Sequence, residues 1–151
     1  MSLEEKVEVV MSSDVATIET GRSAKEAAAV IPETGCLIVL SGMQPLGIVT
    51  ENDIVKKVTA RGSDPSKVVV GDIMSTPIIS VKSKSSIKDA AEIITRFKVK
   101  RLAVISEDSK CVGILTTEDI ARWLAKQSDY EDPALNALAR IQQSTNAEPY
   151  R

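Results

Sequence analysis

The sequence predicts an α+β fold made of two copies of one β-α-β-β-α unit, and three observations carry that prediction. The first is an internal repeat: Gly47-Ile48-Val49-Thr50-Glu51-Asn52-Asp53-Ile54 returns 66 positions later as Gly113-Ile114-Leu115-Thr116-Thr117-Glu118-Asp119-Ile120. The second is its backward extension, in which Met11-Ser12-Ser13-Asp14-Val15-Ala16-Thr17-Ile18 matches Met74-Ser75-Thr76-Pro77-Ile78-Ile79-Ser80-Val81 at an offset of 63. The third is the alternation, within each copy, of short apolar runs with segments that open on helix-capping residues. The change of offset is a three-residue difference in length. It falls around Pro32-Glu33-Thr34-Gly35, where the second copy reads Phe97-Lys98-Val99-Lys100-Arg101 and is more basic.

In order along the chain, residues 15–18 read as an extended strand. Ser23-Ala24-Lys25-Glu26 has the spacing of a capping box and opens an alanine-rich helix that runs towards Pro32. Ser86-Ile87-Lys88-Asp89 opens the counterpart helix, followed by Ala90, Ala91, Ile93 and Ile94. Two apolar runs come next, 36–40 and 46–49, joined by the turn-rich Ser41-Gly42-Met43-Gln44-Pro45, which predicts an antiparallel hairpin. Residues 102–105 and 111–115 repeat it. A second helix leaves from Thr50, presents Ile54, Val55 and Val58 on one face and stops near Gly62; its counterpart carries Ile120, Trp123 and Leu124. These limits give a first repeat over residues 7–62, a second over 63–127, and a polar tail over 128–151. In the tail, Asp132-Pro133 can start a short helix bearing Ala134, Leu138 and Ile141.

Composition narrows the function. A chain of 151 residues with 43% hydrophobic content can bury a core as one domain or two closely packed halves. Its apolar runs are far shorter than the roughly 20 residues of a membrane-spanning helix, and its N-terminus lacks the basic-then-apolar order of an export signal, so a soluble cytoplasmic protein is expected. With 19 basic and 21 acidic residues there is no general field for nucleic acid. Only Phe97, Trp123, Tyr130 and Tyr150 could stack on bases. Cys36 and Cys111 occupy non-equivalent repeat positions without a Cys-x-x-Cys spacing, and read as buried thiols. The chain has no histidine, which removes the commonest general base and metal ligand, and no carboxylate or lysine grouping replaces it, so no enzymatic activity is expected. Glu51, Asp53, Glu118 and Asp119 read as solvated first-turn residues rather than metal ligands. Trp123 reads as core or dimer interface.

Thr50-x-x-Asp53 and Thr116-x-x-Asp119 admit two readings. As capping boxes, threonine caps the helix and aspartate returns the bond. As ligand groups, a carboxylate can accept from ribose hydroxyls, a threonine hydroxyl with free N–H groups can hold phosphate, and apolar strand residues can sandwich a base.

The β-α-β-β-α repeat closed by Gly-apolar-apolar-Thr-x-x-Asp resembles the cystathionine-β-synthase (CBS) domain, present over about residues 7–127 as a stand-alone tandem pair, or Bateman module. The resemblance implies two pseudo-twofold-related repeats packed sheet to sheet, with two clefts that bind adenosine-containing ligands: here AMP, ADP or ATP ahead of S-adenosylmethionine. By position, the first cleft would use Thr50 and Asp53 with Pro77, Ile79, Val99, Lys100 and Arg101: Asp53 on ribose, Ile79 and Val99 around adenine, Lys100 or Arg101 on phosphate. The second would use Thr116 and Asp119 with Ala16, Thr17 and Gly35. Gly35 stands there in the place of Arg101, so that cleft lacks a basic residue and is expected to be empty, weaker or taken by a less anionic ligand. The resemblance further implies a non-catalytic, ligand-responsive regulatory module that needs no cofactor, forms a homodimer through residues 52–59 and 118–126, and docks on a cytoplasmic protein partner. The alternative is a dimerisation scaffold that no longer binds nucleotide.

Overall fold

In the computed structural model, which describes residues 3–127, the two apolar runs of each copy pair as an antiparallel hairpin and a short third strand lies parallel beside it. The first sheet has β1 (Thr17–Glu19), β2 (Cys36–Ser41) and β3 (Gln44–Thr50) in that order, with Ile18 opposite Val39 and Val39 opposite Gly47. The second has β4 (Ser80–Lys82), β5 (Arg101–Ile105) and β6 (Cys111–Thr116), with Val81 opposite Val104 and Val104 opposite Gly113. The first strand begins two residues later than expected, because Val15 turns into the layer between the sheets.

The strands are continuous apolar runs because both faces are covered. Along β2, Leu37 and Val39 point at helix α2 (Ala24–Val30), where Ala24, Ala27 and Val49 complete a first core. Ile38, between them, points the other way and meets Ile48, Ala103 and Ile114 in a layer shared by the two sheets. Leu102, Val104 and Leu115 build the mirrored core under α5 (Ile87–Phe97), which contributes Ile87 and Ala90. The result is the expected α+β pair of repeats packed sheet to sheet.

Serine capping opens both of these helices: Ser23 Oγ accepts from Glu26 N at 3.1 Å and Ser86 Oγ from Asp89 N at 3.1 Å. The length difference between the copies is concentrated at their other ends. α5 runs 11 residues against 7 for α2 and closes on Lys98 in the left-handed conformation, φ 56°. The helix after β3 also departs from expectation. It is α-helical only over α3 (Glu51–Ile54) and continues as a π-helical turn over Val55–Thr59, closed by Ala60 N donating to Val55 O at 2.8 Å. The widened turn keeps Val58 in the core but turns Val55 outward, to 55% exposure, so Val55 does not share its face. Its counterpart α6 (Thr117–Gln127) is regular and rests Ile120 and Trp123 on the second core.

Two four-residue helices, α1 (Val7–Val10) and α4 (Val70–Ile73), carry no sequence signal long enough to show a period, yet they tie the halves together. Each packs on the sheet of the other copy. Val7 is fully buried in the second core, and Val70 and Ile73 lie in the first. Behind α1, Ser12 exchanges hydrogen bonds with Ile114 (2.9 and 2.8 Å); behind α4, Ser75 exchanges them with Ile48 (2.8 and 3.0 Å). The helix expected from Asp132-Pro133 lies outside the described residues. No described helix is long and apolar enough to cross a membrane.

This crossing explains the glycine of the repeated motif. A Cβ on Gly47 would sit 2.4 Å from Ser75 O, and one on Gly113 would sit 2.3 Å from Met11 Sδ and 2.8 Å from Ser12 O. Gly47→Ala is therefore expected to lower stability by about 1–3 kcal/mol through overpacking in urea unfolding. Gly21→Ala, where a Cβ meets nothing within 4 Å, is expected to leave the midpoint almost unchanged.

Candidate functional site

Both closing motifs form capping boxes. Asp53 Oδ2 accepts from Thr50 N (2.9 Å) and Thr50 Oγ1 (3.1 Å), while Thr50 Oγ1 accepts from Asp53 N (3.2 Å). The other carboxylate oxygen, Oδ1, pairs with Lys57 Nζ at 3.1 Å, and Lys57 also donates to Ile73 O at 2.9 Å. In the second copy, Thr116 N donates to Asp119 Oδ2 and Asp119 N to Thr116 Oγ1, each at 3.0 Å, with Arg122 Nη1 3.4 Å from Asp119 Oδ1. The capping reading is thus realised twice, and it alters the roles drawn from the motif. The Thr50 hydroxyl hydrogen is directed at Asp53, and Glu51 N is taken by Gly35 O at 3.2 Å. Neither is available to a phosphate. Asp53 Oδ1 accepts from Lys57 and keeps a second lone-pair direction for a further donor.

Around the first box lies a cleft of about 750 Å³, lined by all seven residues that sequence reasoning assigned to it. Thr50 and Asp53 come from the end of β3 and the start of α3. Pro77, after a cis peptide bond, and Ile79 come from the approach to β4. Val99 and Lys100 come from the short passage between α5 and β5, and Arg101 opens β5. Ile48 and Ile78 add apolar wall. Two further basic residues were not anticipated: Lys98, held by its left-handed cap, and Lys56, one helical turn beyond Asp53. The i,i+3 spacing from Asp53 was a signal for Lys56. The lining carries four basic side chains (Lys56, Lys98, Lys100, Arg101) against three acidic ones (Glu51, Asp53, Glu118), a surplus of one positive charge.

The second cleft, of about 590 Å³, departs from expectation. Thr116 and Asp119 line it; Ala16, Thr17 and Gly35 do not. Ala16 is turned to the first core, Thr17 is exposed on β1, and Gly35 lies on the first cleft. Nor does this cleft lack basic residues, since Arg101 and Arg122 both line it. The error came from register. Cys36 pairs with Thr50 as Arg101 pairs with Thr116, so the counterpart of Arg101 is Cys36, and Gly35 answers to Lys100. Arg101 reaches both clefts because its Nε donates to Thr34 O at 3.1 Å and its Nη2 would lie 3.1 Å from a Cβ on Gly35. Acidic residues dominate instead: Asp14, Glu33, Glu118 and Asp119 against the two arginines, a surplus of two negative charges.

No metal cluster of histidine, cysteine, aspartate or glutamate forms among the described residues. Burial pushes the Cys36 thiol up, partly countered by the Arg101 charge and a bond to Thr34; burial likewise raises Cys111. Both are thiols at neutral pH, packed in or against the layer between the sheets.

Comparison with known proteins matches the CBS domain model to residues 6–60 and again to 70–126. An uncharacterized protein of Methanopyrus kandleri is 34% identical over 114 residues, 74% of this chain and 58% of that protein, so the chain spans little more than half of that relative. The crystal structure of Hypoxic Response Protein I with two coordinated zinc ions superposes with a TM-score of 0.68 at 30% identity, over 78% of this chain and 98% of that one; the Mycobacterium tuberculosis protein of that name is 37% identical over 82 residues, 54% of this chain and 57% of that protein. The CBS domain pair of MJ0100, solved in complex with 5′-methylthioadenosine and S-adenosyl-L-methionine, shares the fold with a TM-score of 0.72 at 23% identity, over 82% of this chain and 98% of that one.

The left-handed cap gives a test of how the first cleft is held. A non-glycine residue in that conformation costs about 1–2 kcal/mol, and glycine returns part of that gain as unfolded-chain entropy. Lys98→Gly is expected to raise stability by about 0.5–1 kcal/mol in chemical denaturation. Lys98→Ala, which keeps the strain, is expected not to.

Proposed function

The chain belongs to the CBS domain family, and from that premise we propose that it is a non-catalytic regulatory module whose first cleft binds an adenine nucleotide, AMP, ADP or ATP. The observation that supports this most is the convergence of apolar wall, carboxylate and four basic side chains on one cleft of about 750 Å³, a size that suits such a ligand. Adenine would lie against Ile79, Val99 and Pro77. A ribose hydroxyl would donate to the remaining lone pair of Asp53 Oδ1 without opening the capping box. Phosphate would fall to Lys98, Lys100 and the Nη groups of Arg101, whose Nε stays on Thr34 O; the guanidinium can grip it through two nitrogens. S-adenosylmethionine ranks behind, because its sulfonium gains nothing from a cleft with a positive surplus.

The ligand would touch both copies at once: Thr50 and Asp53 on one side, Pro77 to Arg101 on the other. A ligand changes a conformational equilibrium only through its unequal affinity for the two states, and a site made from two packed halves supplies that inequality if the halves shift. In this reading the module is cytoplasmic, dimerises and reports its state to a protein partner. A second reading, a scaffold that holds no nucleotide, draws on the completed capping box, in which Asp53 is only 7% exposed and both its oxygens are engaged.

Calorimetric titration with adenosine, AMP, ADP, ATP and S-adenosylmethionine separates the two. The nucleotide reading expects one site per chain, AMP tighter than adenosine, and loss of that phosphate gain by about tenfold, or 1.4 kcal/mol, in Lys100→Ala. Absence of heat and of any thermal shift with all five would favour the scaffold.

A further inference from the structure

We propose that the second cleft is a site for a cationic α-amino acid and not for a second nucleotide. The inference rests on what replaces each wall residue of the first cleft. Pro77 becomes Asp14 at the 63-residue offset, and in the sheet register, an offset of 65, Lys98 becomes Glu33 and Val99 becomes Thr34. Ile79 becomes Ala16, whose side chain packs into the first core instead of facing the cleft. Among the described residues, Pro32 is left as the one apolar side chain of its lining. No apolar pair remains to hold the two faces of a purine, and of the basic groups that would meet its phosphates Lys98 has become Glu33, Lys100 Gly35 and Arg101 Cys36.

The polar groups that line the cleft suit a different ligand. Asp14 and Glu33 are exposed on its rim and form no ion pair among the described residues. They can take an ammonium group. Arg122 occupies the place that Lys56 holds in the first cleft, and its Nε is buried without a hydrogen-bond partner. A buried N–H donor without a partner costs free energy that a ligand acceptor would recover. Arg122 offers a carboxylate its guanidinium, and Arg101, which lines the same cleft, adds a second one when no phosphate in the first cleft holds it. A carboxylate on the arginines, ammonium groups on Asp14 and Glu33, and a net charge of +1 against a lining of −2 are together the features of an amino acid with a basic side chain. The cleft's volume of about 590 Å³ holds such a molecule with bridging water. Asp14, Glu33 and Arg122 belong to this cleft alone, so the site does not require an empty first cleft, although Arg101 borders both.

The test is a heteronuclear NMR titration of the full chain with L-lysine, repeated with the protein saturated in AMP. Shift changes confined to residues 12–14, 32–34, 101 and 116–122 are expected, with L-lysine still binding the AMP-saturated protein and losing at most about tenfold in affinity where the phosphate holds Arg101. Glu33→Gln, a change on an exposed loop, and Arg122→Met should each weaken L-lysine binding about tenfold or more while AMP affinity stays the same. Cadaverine, which lacks the carboxylate, should bind at least as much more weakly. L-lysine binding without any AMP binding would sustain this site and count against the nucleotide reading of the other cleft. No shift changes up to about 10 mM L-lysine, or AMP filling two sites per chain, would overturn the proposal.

Discussion

Two close approaches of backbone to backbone organise this molecule. At Gly47 and Gly113 the outer edge of each sheet is met by a segment from elsewhere in the chain, Ser75 on Ile48 and Ser12 on Ile114, at hydrogen-bond distance and with no room for a side chain. An open sheet edge exposes unpaired N–H and C=O groups. Here these short contacts begin to cover it, and in doing so they carry α1 and α4 across to bury Val7, Val70 and Ile73 in cores they do not adjoin in sequence. Neither half has a complete core without residues from the other.

The same crossing places the clefts. The segment that meets Gly47 runs straight on into Pro77 and Ile79, so the wall of the first cleft is delivered to the closing motif by the contact that the glycine permits. Lys57 reinforces the junction by bridging Asp53 to Ile73 O at the end of α4. Its counterpart in the other half is Trp123, which packs against the second core, so this polar tie has no equivalent there. The π-helical turn, which contains Lys57, is likewise confined to the first half.

Symmetry of the backbone therefore coexists with divergence of the chemistry. Both closing motifs cap their helices in nearly the same geometry, as the backbone N–H groups at a helix start require. The walls around them have gone separate ways: apolar and basic in one cleft, acidic and polar in the other, with Arg101 and Glu118 reaching both. A repeat constrained by capping and packing leaves the charge of its loops free to change.

The sequence alone determined the repeat, the order of strands and helices and the apolar runs of doubly covered strands, because each is written in local spacing or in a match between copies; the seven residues that line the first cleft followed from the family resemblance that the repeat carries. Thr50 and Asp53 were legible both as a capping box and as site residues, and the fold makes them a box on a cleft. What the tertiary structure decided depends on distances that sequence spacing does not encode. The two four-residue helices are too short to show a period, and their exchange between halves is fixed only by which sheet edge they meet. The second cleft was misassigned because a three-residue difference in length can be absorbed in several registers. Only the pairing of Arg101 with Thr116 and Cys36 with Thr50 shows which one holds. That pairing carries Arg101 to the boundary of both clefts and Gly35 to the first, and it leaves the second to carboxylates and Arg122.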